Sequence, residues 1–236
     1  MNKFILAFPV PVKRTETFRI TEFVEVTSET NSIIIPGCSV PFSVARTDSL
    51  ARLSDIFQEH CFLSPEDAKR LDSHGSLIFL LGTLKSVDDL NMVNAAIKKM
   101  FAAGAIGVYM QQSGTAWIAM EFGEELGDES CPMIPWINYV EKDEVLYTLG
   151  LEVFGLPDLC VSRKVLPESE SEGHEYEYLL ESAAEALFQD GIPAKSGTVV
   201  DVEGCGSFTL RAELTGLYPK DAPEYNKNGT MRLIKK

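Results

Sequence analysis

Ser113 sits in a glycine-flanked polar turn, Gln111-Gln112-Ser113-Gly114-Thr115, a setting in which a nucleophilic hydroxyl can be presented to a substrate. Hydrolysis from such a serine needs a histidine to take its proton and an acid to orient the ring. The strained turn that usually carries it reads Gly-x-Ser-x-Gly, which this turn does not. Cys205 between Gly204 and Gly206, and Cys38 after Pro36-Gly37, are the candidate thiol nucleophiles. A thiol becomes reactive when neighbours lower its pKa, and a passive cysteine in a hairpin turn is the simpler reading of both. The five cysteines are widely spread, form no Cys-x-x-Cys, and do not combine with His60, His74 and His174 at zinc-ligand spacing. Reduced thiols and no metal site are therefore expected. Phosphate-cradling loops need several glycines leading into a helix N-terminus, whereas Gly104 and Gly107 fall at a helix end and in a strand. No residue is assigned a catalytic role and no cofactor is implied.

Charge is the strongest global signal. With 21 Lys+Arg against 35 Asp+Glu the formal charge is −14, which repels phosphate backbones and anionic lipid heads, so neither nucleic acid nor a membrane surface is an expected partner. The acids concentrate in two clusters, one formed by Glu121, Glu124, Glu125, Asp128 and Glu129, the other by residues between Glu168 and Glu181. Neither matches the alternating ligands of an EF-hand loop, and solvated surface is their ordinary role. Where such a surface has a function, steering a basic protein partner fits it. The expected function is thus a non-catalytic, acidic protein-interaction module of adaptor or immunity type. Its candidate binding residues are Tyr109, Gln111, Ser113, Trp117, Glu124, Glu125, Glu129 and Trp136, with Trp117 as the apolar anchor. The competing class is a small-molecule binder or enzyme with a pocket near Tyr109–Trp117, and a homo-oligomer burying an apolar patch is a third.

The elements that must position these residues begin with strands. Met1 to Val12 reads as an opening strand rather than a signal peptide, since Pro9 and Pro11 interrupt it. Phe18 to Val26 suggests one strand and Ile33-Ile34-Ile35 another, followed by a Pro36-Gly37 turn. Leu50, Leu53 and Phe57 recur at helical spacing, and Ser64-Pro65-Glu66-Asp67 opens a second short helix. Leu77 to Leu81 is a continuous apolar run of strand length, and Ser86 opens a helix whose stripe is Val87, Leu90, Val93, Ile97, Met100 and Phe101. Gly104 stops it and Ala105 to Tyr109 returns as a strand, a βαβ-like unit. The uncharged stretch from Met100 to Met120 carries Gln111 to Thr115 in its middle and reads as helix end, strand and loop rather than a membrane span. A hairpin follows over Ile134 to Val140 and Val145 to Leu149, turning at Glu141 to Glu144, with Trp136 and Tyr147 packed on it. After a loop containing Gly155, Pro157 and Pro167 comes a helix through Tyr176, Leu180, Ala183 and Leu187. Strands at Thr198 to Val202 and Phe208 to Leu214 and a turn-rich tail close the chain.

The segment Gly104-Ala105-Ile106-Gly107-Val108-Tyr109, then Trp136, then Leu146 through Leu159 resembles an uncharacterised family, domain of unknown function 4261. The resemblance extends to the helix near Tyr178–Phe188 and to Gly197-Thr198-Val199-Val200, covering roughly residues 76–202. It implies a small α+β protein of mostly bacterial distribution and supplies no activity. The expectation is one α+β domain over residues 1–236: N-terminal strands and short helices in 1–75, a family-like core in 76–202, and a C-terminal strand and tail in 203–236. A mixed or antiparallel sheet carries helices mainly on one face, in a soluble, cytoplasmic protein.

Overall fold

The computed structural model describes residues 3–126, 131–165, 174–214, 216–222 and 225–236. Helices and sheets of both antiparallel and mixed type make the fold α+β, as expected. The chain forms two compact units whose boundary, between Pro135 and Trp136, falls inside the stretch 76–202.

The first unit runs through β1 (Lys3–Val10), β2 (Phe18–Arg19), β3 (Glu25–Val26), β4 (Ser32–Ile33), β5 (Phe42–Asp48), α1 (Leu53–Gln58), α2 (Pro65–Asp72), β6 (Ser76–Thr83), α3 (Val87–Ala102), β7 (Gly107–Met110), β8 (Ala116–Ile118) and α4 (Ala119–Glu125). Its main sheet has the order β4-β5-β6-β1-β7-β8, with every neighbouring pair antiparallel. β6 and β7 each pair antiparallel with β1, so they run parallel to one another with β1 between them. The β6-α3-β7 unit is thus a βαβ crossover split by the first strand of the chain. Its helix is bounded by local chemistry. The Ser86 hydroxyl accepts the Asp89 amide at 3.2 Å, and the Asp89 carboxylate accepts the Lys85 amide at 3.0 Å, a capping box shifted outward by one residue. At the other end Gly104, with φ +101°, lets the Ala105 and Gly104 amides return to the Met100 and Phe101 carbonyls, closing a Schellman turn.

Both faces of the central strands are covered, which explains the unbroken apolar run of β6. On one face Leu53, Phe57, Leu71, Leu77, Ile106, Ala116 and Ile118 form a cluster to which α1 and α2 supply Leu53, Phe57 and Leu71. Gly107 makes this packing possible, because a Cβ there would lie 2.4 Å from the Phe57 ring. On the other face Phe4 meets Phe42 edge-on with centroids 6.2 Å apart, and Gly82, opposite Phe4 in register, leaves the same kind of room for the Phe4 ring.

Two N-terminal segments depart from the expectation. Phe18 to Val26 is a hairpin of β2 and β3 rather than one strand, because the Thr21 hydroxyl accepts the Phe23 and Val24 amides and turns the chain. β5 escapes sequence reading because its inward positions are Phe42, Val44 and then Arg46, a charge in the core row. Arg46 is 8% exposed and acts as a clamp. Its guanidinium donates to the carbonyls of Lys13, Glu16 and Val26 and to the Ser76 hydroxyl, tying the 13–26 segment to the sheet.

The second unit contains β9 (Asn138–Lys142), β10 (Val145–Leu149), β11 (Asp158–Ser162), α5 (His174–Gln189), β12 (Val199–Val202), β13 (Gly206–Glu213) and β14 (Thr230–Lys235). The sheet order is β12-β13-β14-β11-β10-β9, antiparallel except for the parallel pair β11–β14. In place of one sheet there are two six-stranded sheets and the β2–β3 pair, and the helices near 86–103 and 174–190 belong to different units. The hairpin turn is tighter than expected: Asp143 and Glu144, at φ 52° and 60°, form a two-residue connection. α5 buries Leu179, Leu180, Ala183, Ala184 and Leu187 against the face that carries Leu159, Val161, Phe208, Leu210 and Leu233. The Tyr139 hydroxyl, on that same face, donates to Glu181 of α5 at 2.6 Å.

Candidate functional site

The polar loop expected to form a site is the turn of the β7–β8 hairpin, and its polarity is spent internally. Gln112 Oε1 accepts the Ile5 amide at 3.1 Å, and the Gln111 amide donates to the Ile5 carbonyl at 3.1 Å, so the turn extends the β1–β7 ladder. Ser113 is 2% exposed, with its hydroxyl 2.8 Å from that of Thr115. Thr115 Oγ1 and Trp117 Nε1 both donate to the Pro135 carbonyl, at 3.1 and 2.8 Å. Ser113 is thus a buried turn residue, which removes the presented-nucleophile reading. Trp117 is half-buried, Tyr109 packs against the α1–α2 cluster, and Gln111 is exposed. Trp136 lies in the other unit, 2% exposed and edge-on to Phe154 at 6.4 Å. The hairpin brings Tyr109, Gln111, Ser113 and Trp117 together as scaffold.

The first acidic cluster starts on α4. Glu124 is exposed, whereas the Glu125 side chain and the whole of Asp128 and Glu129 lie outside the described residues. Glu121 lies against the Cys61 thiol and the Phe62 amide, and burial raises its carboxyl above the usual range. Burial first, and then the Glu121 charge, push the Cys61 thiol up to about 12. Phe62 and Met120, the chain neighbours of Cys61 and Glu121, are 83% and 66% exposed. In the second cluster Glu175, Glu177 and Glu181 lie on α5, and Glu168, Glu170 and Glu172 lie outside the described residues.

The remaining candidate nucleophiles are quiet. Burial raises the Cys38 and Cys205 thiols and takes Cys160 to about 12, the opposite of activation. His74 is buried with Nε2 accepting the Leu50 amide at 3.0 Å and Nδ1 against the Leu71 carbonyl, so both ring nitrogens serve the fold. Among the described residues no group of His, Cys, Asp and Glu side chains could hold a metal ion. No helix there is long and apolar enough to cross a membrane.

The second unit holds a cavity that sequence reading missed. Register places Tyr147, Cys160, Arg232 and Arg211 in one row across β10, β11, β14 and β13, on the face opposite α5. Over this face, residues 216–220 and 225–229 border a cavity of about 420 Å³, lined by Tyr147, Asp158, Glu213, Tyr218, Lys220 and Tyr225 among others. A second hollow of about 270 Å³, lined by Arg211, Glu213, Leu214 and Arg232, shares Glu213 and Leu214 with it. At the floor Asp158, 5% exposed, accepts the Leu151 amide at 3.2 Å, capping the 3-10 turn Leu151–Phe154. Burial pushes its carboxyl up to about 8 despite that bond and one from Asn226. The one available signal is a lone Asp within Leu156-Pro157-Asp158-Leu159-Cys160-Val161. The Tyr and Arg partners are far apart in sequence and meet only through strand register.

Comparison with known protein families, with curated proteins and with solved structures finds no match for this chain. The site is therefore defined by its own chemistry, as two separate features of an α+β protein: exposed Phe62 and Met120 next to Cys61 and Glu121 on the first unit, and a tyrosine-lined cavity beside an arginine-lined hollow on the second.

Proposed function

We propose that the protein is a non-catalytic, cytoplasmic interaction module that captures a basic protein partner through the first unit. The observation that carries the reading is the exposure of Phe62 and Met120, next in the chain to Cys61 and Glu121, with Glu124 and Asp67 close enough to raise the Glu121 carboxyl further. Exposed apolar side chains amid acids suit a partner that presents an apolar knob ringed by Lys and Arg: burial supplies affinity and charge supplies rate. Phe62 and Met120 take the anchor role expected of Trp117, whose indole N–H is committed to Pro135.

The test is capture by the tagged protein at low and high salt, repeated with Phe62→Ser and Glu124→Lys. A basic protein retained near stoichiometry, released by salt and lost with either variant supports the reading. Absence of any retained protein at either salt, or retention that both variants leave unchanged, overturns it.

A further inference from the structure

We propose that the cavity of the second unit is a binding site for a small aromatic carboxylate, its ring among Tyr147, Tyr218 and Tyr225 and its anionic end toward Arg211, Arg232 and Lys220. Three observations converge on it. The first is cross-strand: Arg211 and Arg232 are direct partners in the β13–β14 ladder, so their side chains leave the same face of the sheet side by side. Like charges directly opposite one another destabilise a sheet, and a bound anion removes the repulsion. The second is local charge. Glu213, which lines both hollows, is taken by Arg232 Nε at 2.5 Å. Arg211 and Lys220 make no ion pair among the described residues. Two such cations stand beside the Arg232–Glu213 pair in a chain of net charge −14. The third is shape: about 420 Å³ with three tyrosines in the lining suits one planar ring, and the adjoining hollow beside both arginines receives the charged end.

A carboxylate matches the arginine fork geometrically. Glu213 in the lining is already paired with Arg232. Asp158 is occupied by Leu151 and Asn226, and burial favours its neutral form.

Isothermal titration with indole-3-acetate and 4-hydroxyphenylacetate tests the site, with acetate and indole as probes lacking ring or charge. Saturable, salt-sensitive binding of the ring acids is expected, with acetate and indole at least tenfold weaker. Arg211→Gln and Lys220→Gln, both at exposed positions, are each expected to weaken the ring acids about tenfold. Ring-proton shifts of Tyr147 and Tyr225 on titration should report the same site in the unaltered protein. No saturable binding of either acid, equal binding of acetate, or unchanged affinity in both variants overturns the proposal. The interaction surface of the first unit is untouched by any of these outcomes, since the substitutions lie in the other unit.

Discussion

Replacing Asp158 by Asn removes one proton-binding group from the interior of the second unit and leaves its hydrogen bond in place, because the amide Oδ1 can accept the Leu151 N–H as the carboxylate does. With a pKa of about 8 in the fold against 3.8 ordinarily, the folded protein holds a proton that the unfolded chain has released over most of this interval. A raised acid contributes its stabilisation fully below pH 3.8, and that contribution is lost progressively as pH rises to about 8 and levels off above it. Each pH unit within the interval costs roughly 1.4 kcal/mol, so going from pH 6 to pH 9 removes about 3 kcal/mol. The Asp158→Asn variant has no such dependence. Urea denaturation at pH 6, 7, 8 and 9, followed in a Trp117→Phe background, leaves Trp136 as reporter. It packs against Phe154 in the turn that Asp158 caps. The stability difference between the two proteins should move by about 3 kcal/mol in favour of the asparagine variant across this range. Groups elsewhere titrate equally in both proteins and cancel. A difference that stays constant with pH would mean that Asp158 is ionised in the fold and that its cap outweighs its desolvation.

Two further predictions concern the first unit. Gly107→Ala should cost about 1–3 kcal/mol by driving a methyl into the Phe57 ring, whereas Gly123→Ala, in exposed helix with open space around it, should be neutral or stabilising; equal urea midpoints would refute the packing argument. Arg46→Met removes the clamp on the 13–26 segment. A loss of about 2–4 kcal/mol and faster proteolysis within that segment are expected, and an unchanged cleavage pattern would show that the clamp is dispensable.

Local signals are legible wherever the physics is local. Ser64 and Ser86 cap the helices their sequence context opens, and Gly104 closes α3 through its left-handed backbone. What depends on partners distant in the chain is not legible. β5 hides behind Arg46, whose reason for being inward is four acceptors on other segments. β11 reads as loop because Pro157 and Asp158 look like turn residues, although it is a buried interior strand of its sheet. The site suffers most. The Gln111–Thr115 loop looks reactive because unsatisfied polarity and internally satisfied polarity read alike in sequence. The Tyr147–Arg232–Arg211 row is invisible because register alone assembles it.

The placement of β1 and β14 has a kinetic consequence. β1 precedes both of its neighbours in the chain, the nearer in sequence being β6 at Ser76–Thr83. Until β6 has been made its two edges are open, and an apolar strand with free edges invites pairing with other chains. In the second unit β11 waits for its parallel partner until Thr230–Lys235 has been made. Each sheet is thus closed by a strand at the far end of a long loop, which slows folding through the entropy of bringing distant segments together. A nascent chain would have to keep β1 shielded through the synthesis of more than half of its own unit, and trimming a few residues from β14 would split the second sheet down its middle.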